Sequence, residues 1–530
     1  MKRVVIYDRY LSTLGGGERY VGKMAEVLSS IYDVTLLTDQ FANLKAAEDR
    51  FNVDLSRVKL NIIPCFSNEY AARYTSSYDL FINATYMSSM PGCAKQNLYL
   101  VYFPASFDAD FDLSKKILIK LLAKPAKLIF SRLGLLNPDF NGRIDPISGV
   151  YDLRRFYMRR TTWTSGKARF SLSGLKRGSE VRLVLKVPEF PAGERFWLKV
   201  VVGNRLLVSH DDIKSRKKMK VRIETDDLKE GEEIEVLSSS YRPSESGFGR
   251  DSRLLGIGIQ DQTDSSIFSR SFYKTLSLFP QFILDFPLDL SFVSTYKHFI
   301  SISDYVSYWL KRRWGVEVQK IYPPVDVESL CPMDKENIIV SVGRFFKGHH
   351  NKKQDELVKA FRQLCDEGLK HWRLWLIGGV SGESDSQKYL DEVRSLASGY
   401  PIEIYTNIGR DFLIEALGRA KIFWHAAGLG EDDEKSPEKS EHFGISTVEA
   451  MASGAVPVVI AKGGQKEIVC NDHDGLLFDD IEGLKYLTMK LIGDETLLQR
   501  YAENAQKSAH NFGQRHFAYS LVEFIGKILD

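Results

Sequence analysis

Glu441 and Glu449 are separated by seven residues in Glu441-His442-Phe443-Gly444-Ile445-Ser446-Thr447-Val448-Glu449. The first acid ends a loop. Gly444 onward reads as a helix start and runs into the small residues Ala450, Ala452 and Gly454. Backbone N–H groups at a helix start favour anions. A carboxylate at Glu449 could hold a ribose diol through two hydrogen bonds. The strand Pro457–Ile460 follows, and then Gly463-Gly464-Gln465-Lys466-Glu467, an anion-ready turn. A second set lies upstream, with Arg344 directly after the run Ser341-Val342-Gly343 and Lys352 just before the next helix. Ligands of open α/β sheets bind at strand ends of this kind. The arginine fork and the compact lysine charge together can grip a diphosphate, although a solvated basic loop would show the same spacing. A third set, Gly15-Gly16-Gly17-Glu18, sits between a strand and a helix. Glycines let backbone amides approach an anion. The pattern is not GxGxxG, and a tight turn packing helix on sheet reads equally well.

These loops need α/β scaffolds on both sides. The chain has 530 residues, and single cores stop growing near ~250–300 residues, so two or three domains are expected. Val4–Tyr7, a helix from Glu18 to Ser29 and Val34–Thr38 form a βαβ opening. Leu80–Asn83 and Leu98–Phe103 continue one parallel sheet. From Lys167 to Ile259 alternation takes over, with candidate strands at Ala168–Ser173, Val181–Val187, Phe196–Val202, Arg205–Ser209, Lys218–Glu224 and Glu233–Leu237. Short strands with frequent turns imply an inserted antiparallel β-sandwich. A helix at Asp304–Trp314 and the Pro323-Pro324 break lead into a second α/β unit, whose strands are Ile338–Val342, Trp372–Ile377 and Lys421–Trp424. The expected division is an N-terminal Rossmann-like domain of residues 1–150 and 269–325 and an inserted module of 151–268. A C-terminal Rossmann-like domain of 326–510 follows, and a final helix in 511–530 is a candidate to cross back to the first domain.

A formal net charge of +3 argues against a broad nucleic-acid footprint. The five cysteines, Cys65, Cys93, Cys331, Cys365 and Cys470, are scattered and form no CxxC, which reads as reduced thiols in a cytoplasmic protein. The basic lead of MKRVVIYDRY precedes an apolar run too short for a signal peptide, and no run of about eighteen apolar residues appears.

The two halves together resemble the retaining GT-B glycosyltransferases of family 4 over roughly residues 1–110 and 270–530. The paired glutamates Glu441 and Glu449, with Arg344, Lys352, the small-residue helix and the Gly463–Glu467 turn in order, carry the resemblance. It implies an α/β fold of two Rossmann-like domains and retaining transfer from a GDP-, UDP- or ADP-sugar to a glycan or lipid-linked saccharide. It implies no bound cofactor and no divalent metal. Arg344 and Lys352 would neutralise the donor diphosphate, Glu441 would sit by the transferred sugar and Glu449 would bind the ribose. Gly16 and Gly17 would close over the phosphates, the backbone near Ile408 would meet the base, and Phe443, Gly444 and Ile445 would line the site. The implied chemistry has the acceptor attacking on the face the leaving group departs from, with a donor phosphate oxygen as base.

The chain departs from that pattern in places. Tyr102, in Val101-Tyr102-Phe103-Pro104, stands where many relatives carry an acceptor-side His, and a phenol is a poor proton acceptor near neutral pH. His425, after Trp424, reads either as a sugar contact or as a packed strand-end residue. The acidic run Glu431-Asp432-Asp433-Glu434 reads as solvated surface rather than a metal pair. The inserted module, closing through Arg242-Pro243 to Gly256-Ile257, resembles carbohydrate-binding-like modules of some bacterial glycosyltransferases; Trp163 and Tyr241 are either exposed or core. Residues 114–133 place Lys116, Lys120, Lys124 and Lys127 on one helical face beside Ile117, Leu121 and Leu128. That suits peripheral contact with an anionic membrane, whereas an ordinary helix would bury the apolar stripe on the sheet. The reading of a different class is a non-catalytic carbohydrate-binding or scaffold protein on the same fold.

Overall fold

A computed structural model describes the chain except residues 14, 41, 64–66, 109–110, 133–143, 173–174, 176–178, 191–192, 226–231, 244–252, 264–280, 349–350 and 381–383. The first sheet is parallel. Its spatial order is Gln319–Lys320, His298–Ser301, Gln96–Val101, Leu80–Asn83, Arg3–Tyr7, Asp33–Thr38 and Lys59–Ile62. Strands buried on both faces read as continuous apolar runs, as Val4–Tyr7 and Leu80–Asn83 do. The chain leaves Arg3–Tyr7 in one direction, then returns to build on its other side. The switch point therefore lies between Arg3–Tyr7 and Leu80–Asn83, which are hydrogen-bonded neighbours.

The second parallel sheet has the order Ile402–Thr406, Arg373–Gly378, Glu336–Val342, Ala420–His425, Val456–Ile460 and Leu476–Phe478. Its switch point lies between Glu336–Val342 and Ala420–His425. Arg344 follows the first of these strands and His425 ends the second. Crevices at such points are where open α/β sheets take ligands.

Between the two halves of the first sheet's sequence comes an antiparallel sheet of eight strands. Thr162–Ser171 is its pivot. Thr162 and Trp163 pair with Gly258–Asp261, while Lys167–Ser171 pair with Glu233–Ser238. The alternate residues Ala168, Phe170, Leu183, Leu185, Val200, Ile234 and Ile259 enter one shared core. The predicted strands are present with ends moved by a few residues. Asp145–Val150 and Gly258–Asp261, which alternation did not single out, complete the sheet. The predicted turn at Lys176–Gly178 and much of the closing stretch around Gly249 lie outside the described residues.

The helix Leu113–Arg132 buries a different apolar stripe from the one singled out in the sequence. Ile119, Ala123, Ala126 and Phe130 are buried. Ile117, Leu121 and Leu128 are 52%, 65% and 53% exposed. At 3.6 residues per turn the two stripes are roughly 180° apart. The apolar residues singled out from the sequence thus face away from the protein. The last helix, Gln514–Leu529, lies against the helix Gly16–Ser29, with the rings of Tyr20 and Phe517 5.0 Å apart.

Candidate donor and acceptor cleft

The glutamate loop is held by its glycines. Gly463 has φ +56°, and a Cβ there would run into the Glu441 carbonyl oxygen. The Gly464 N–H donates to that same carbonyl at 2.7 Å. The second glycine pair therefore clamps the first glutamate, a link that sequence spacing alone does not reveal.

The Glu441 carboxylate is bonded to the Lys352 ammonium and lies 2.8 Å from His425 Nε2. Burial alone would raise this carboxyl, but Lys352, and then His425, overcome it and hold it well below the usual range. His425 is 1% exposed. Burial lowers its imidazole against the pull of Glu441. The Ala427 N–H donates to Nδ1 at 3.4 Å. His425 is packed at the end of Ala420–His425, beside Glu441. The Lys352 stem lies over Gly343, where any Cβ would collide with it. Gln354 ties the loop by donating to the Gly343 and Arg344 carbonyls at 3.0 and 3.1 Å. Arg344 itself is exposed, with no ion pair among the described residues.

Glu449, in the helix Ile445–Ala452, is buried. Two guanidiniums reach its Oε1, Arg410 at 2.7 Å and Arg19 at 2.9 Å. Burial would raise this carboxyl; Arg19 and then Arg410 hold it below the usual range. Ile408 stands two residues before Arg410, which opens the helix Arg410–Arg419.

Gly16 and Gly17 are not a free loop. They form the first turn of the helix Gly16–Ser29, and the Gly15 N–H donates to Glu18 at 2.6 Å. The start of this helix meets the start of Ile445–Ala452, since a Cβ on Gly16 would be 3.5 Å from Ile445 Cδ1. The positive ends of two helices converge there. Tyr102 donates to the Gly17 carbonyl at 3.1 Å. Burial, with Asp8 and Glu18 nearby, pushes its phenol well above the ordinary value. It braces the glycine turn.

Two further expectations change. The Phe443 side chain, expected to line the site, is buried against Tyr322 and Phe512, at 5.4 and 5.7 Å between ring centres. The acidic run is tethered, not merely solvated. Glu431 pairs with Lys353 at 2.9 Å and Lys439 at 2.8 Å, Ser440 Oγ donates to Asp433, and Glu434 pairs with Arg312. No group of three or more metal-ligating side chains occurs among the described residues. Asp8, which sequence reading passed over, follows the first strand at its switch point. It is buried; Tyr10 N–H donates to Oδ1 at 2.9 Å, and Oδ2 has no partner. Burial, then Glu18, raises its pKa to about 8.

Comparison with known proteins fits this geometry. The chain is 25% identical over 238 residues to a Dictyostelium discoideum protein named GDP-Man:Man(3)GlcNAc(2)-PP-Dol alpha-1,2-mannosyltransferase, covering 42% of this chain and 44% of the relative. A Xenopus laevis protein of the same name is 28% identical over 216 residues, 37% and 41% of the two chains. The matched region thus spans under half the length of these relatives. In fold, the sucrose-phosphate synthase of Thermosynechococcus elongatus superposes with TM-score 0.51 at 12% identity, covering 100% of this chain and 99% of that one. Anabaena HepE in complex with UDP superposes with TM-score 0.51 at 11% identity, covering 99% and 100%. The fold is accordingly the α/β, GT-B-like arrangement of two parallel sheets. Residues 327–508, which hold Arg344, Lys352, Ile408, His425, Glu441 and Glu449, match the family of glycosyl transferases group 1.

Proposed function

We propose that this chain is a retaining hexosyltransferase that moves a sugar from a nucleotide-sugar donor to a glycan or lipid-linked saccharide. The observation that carries the reading is the Lys352–Glu441–His425 cluster at the second sheet's switch point, facing the converging starts of two helices. Charge develops on the diphosphate as the glycosidic bond breaks. Arg344, Lys352 and the two helix starts supply fixed positive potential there, and preorganised donors of this kind stabilise a leaving group without reorganisation. In this reading Lys352 divides its charge between Glu441 and the diphosphate. Glu441, kept ionised and fixed by His425, faces the transferred sugar. Glu449 receives the ribose, and the backbone near Ile408 meets the base. The names of the sequence relatives make GDP-mannose the first donor to test and a diphosphate-lipid-linked saccharide the first acceptor class.

The exposed stripe of Leu113–Arg132 extends the proposal to a membrane surface. Ile117, Leu121 and Leu128 point outward, and the exposed Lys120 and Lys124 flank them. No helix among the described residues is long and apolar enough to cross a membrane. A basic-apolar face of this kind suits docking on anionic lipid, which would bring a lipid-linked acceptor to the cleft. The eight-stranded module is read as an inserted β-sandwich that contacts glycan. The test of the activity is a release assay for nucleoside diphosphate across GDP-, UDP- and ADP-sugars. Turnover of one donor, abolished in Arg344→Ala, supports transfer. Donor binding without turnover would favour the scaffold reading.

A further inference from the structure

The contact between Arg19 and Glu449 joins residues 430 positions apart and crosses the cleft. Arg19 lies one turn into the helix that begins with Gly16 and Gly17, on the first sheet's side. Glu449 belongs to the matched segment on the other side. Both side chains are largely shielded, at 15% and 6% exposed. The Arg410 guanidinium bonds to the same oxygen, Oε1, from the donor side. Two cations thus share one carboxylate oxygen. This leaves one surplus positive charge beside the converging helix starts, and neither arginine has another ion pair among the described residues. A carboxylate has two oxygens with about four acceptor positions. Oε2 carries no protein hydrogen bond among the described residues.

We propose that Arg19 is a donor-binding residue supplied from the opposite side of the cleft: it holds Glu449 by Oε1, leaves Oε2 to a ribose hydroxyl, and offers its remaining N–H groups to the nucleotide's phosphates. This rests on the donor site proposed above and adds a consequence to it. The nucleotide site is then built from both sides of the cleft, with Arg19 as the contribution of the first sheet's side. The planar guanidinium fork suits this double duty, and a lysine point charge fills it only in part.

The test uses the full chain and its Arg19→Gln and Arg19→Lys variants. Isothermal titration is run with GDP, UDP and ADP, and with the free nucleoside of whichever diphosphate the wild type binds. Donor and acceptor KM are measured in parallel. The loss of a charged hydrogen bond predicts a roughly 10- to 100-fold weaker diphosphate for Arg19→Gln. The free nucleoside should lose much less, donor KM should rise while acceptor KM holds, and Arg19→Lys should recover part of the loss. Unchanged diphosphate affinity in Arg19→Gln would overturn the proposal. So would equal losses for nucleoside and diphosphate with no KM split, since that marks a purely structural pair. A wild type that binds none of the three diphosphates would instead overturn the donor site itself.

Discussion

Replacing Lys352 by alanine separates two tasks that Arg344 does not combine. The Lys352 ammonium and the Glu441 carboxylate are bonded, with side chains 20% and 17% exposed. Truncating one partner of a buried pair costs about 3–5 kcal/mol, because the other charge is left uncompensated. The residual exposure and the remaining His425 contact bring this toward ~2–3 kcal/mol. For a domain of this size each 1 kcal/mol moves Tm by about 2–4 °C, so Lys352→Ala should melt its domain roughly 5–10 °C lower. Arg344→Ala, at an exposed side chain with no ion pair, should leave Tm within about 1 °C. Both should lower kcat by about 10²-fold or more, the scale of losing one preorganised electrostatic donor. Adding Glu441→Gln to Lys352→Ala removes the stranded charge and should restore most of the lost stability without restoring turnover. Calorimetry and a donor-saturated turnover assay on the four proteins read this directly. If Lys352→Ala melts like wild type, or the double variant is no more stable than the single, Lys352 and Glu441 are not the coupled pair described here. The pH dependence has a definite sign. Glu441 has a depressed folded pKa, so its contribution is present above the usual carboxylate range. It is lost only as pH falls through the lower folded value.

The Asp8 carboxyl titrates the other way. Its folded pKa near 8 exceeds the unfolded value of 3.8, so the folded state holds a proton that the unfolded state has lost. Stability drains as pH rises between those limits, by up to about 1.4 kcal/mol per unit. Asp8→Asn should therefore gain Tm over wild type increasingly from pH 5 to pH 8, and a gain independent of pH would contradict the assignment. Liposome co-sedimentation tests the outward stripe: wild type should bind only with anionic lipid, and changing Lys116, Lys120, Lys124 and Lys127 to Glu should abolish it. Absence of wild-type binding at low salt would refute membrane docking. Replacing residues 145–268, so that the strand Asp145–Val150 leaves with its sheet, by a short linker should spare donor hydrolysis and impair transfer to a long glycan. Loss of donor hydrolysis as well would make the module part of the catalytic core.

Much of the scaffold was readable because period and burial agree. The alternation from Lys167 to Ile259 gave strands close to those found, and Asp304–Trp314 was placed to the residue because Ser303 caps it and Gly315 ends it. The edge strand Gln319–Lys320 is too short to carry a period that could be read from sequence. The site residues were legible as types at spacings; their partners were not. Nothing in the spacing of Arg19 and Glu449 announces that they meet, because that contact depends on how two separately folded sheets face one another. The family resemblance implied a lining role for Phe443, yet the aromatic cluster with Tyr322 and Phe512 claims its ring. Asp8 was missed because a lone aspartate after a strand is common. Only the topology shows that the strand stands at a switch point.

Retaining transfer from a nucleotide sugar is tested by the configuration of the product. The chain is incubated with GDP-mannose, then with UDP- and ADP-sugars, and a diphosphate-lipid-linked saccharide acceptor, and the anomeric configuration of the new linkage is read by NMR. The expected product has the donor's α configuration, is formed by wild type and is lost in Arg344→Ala. An inverted β linkage would contradict it, as would failure to release nucleoside diphosphate from every donor.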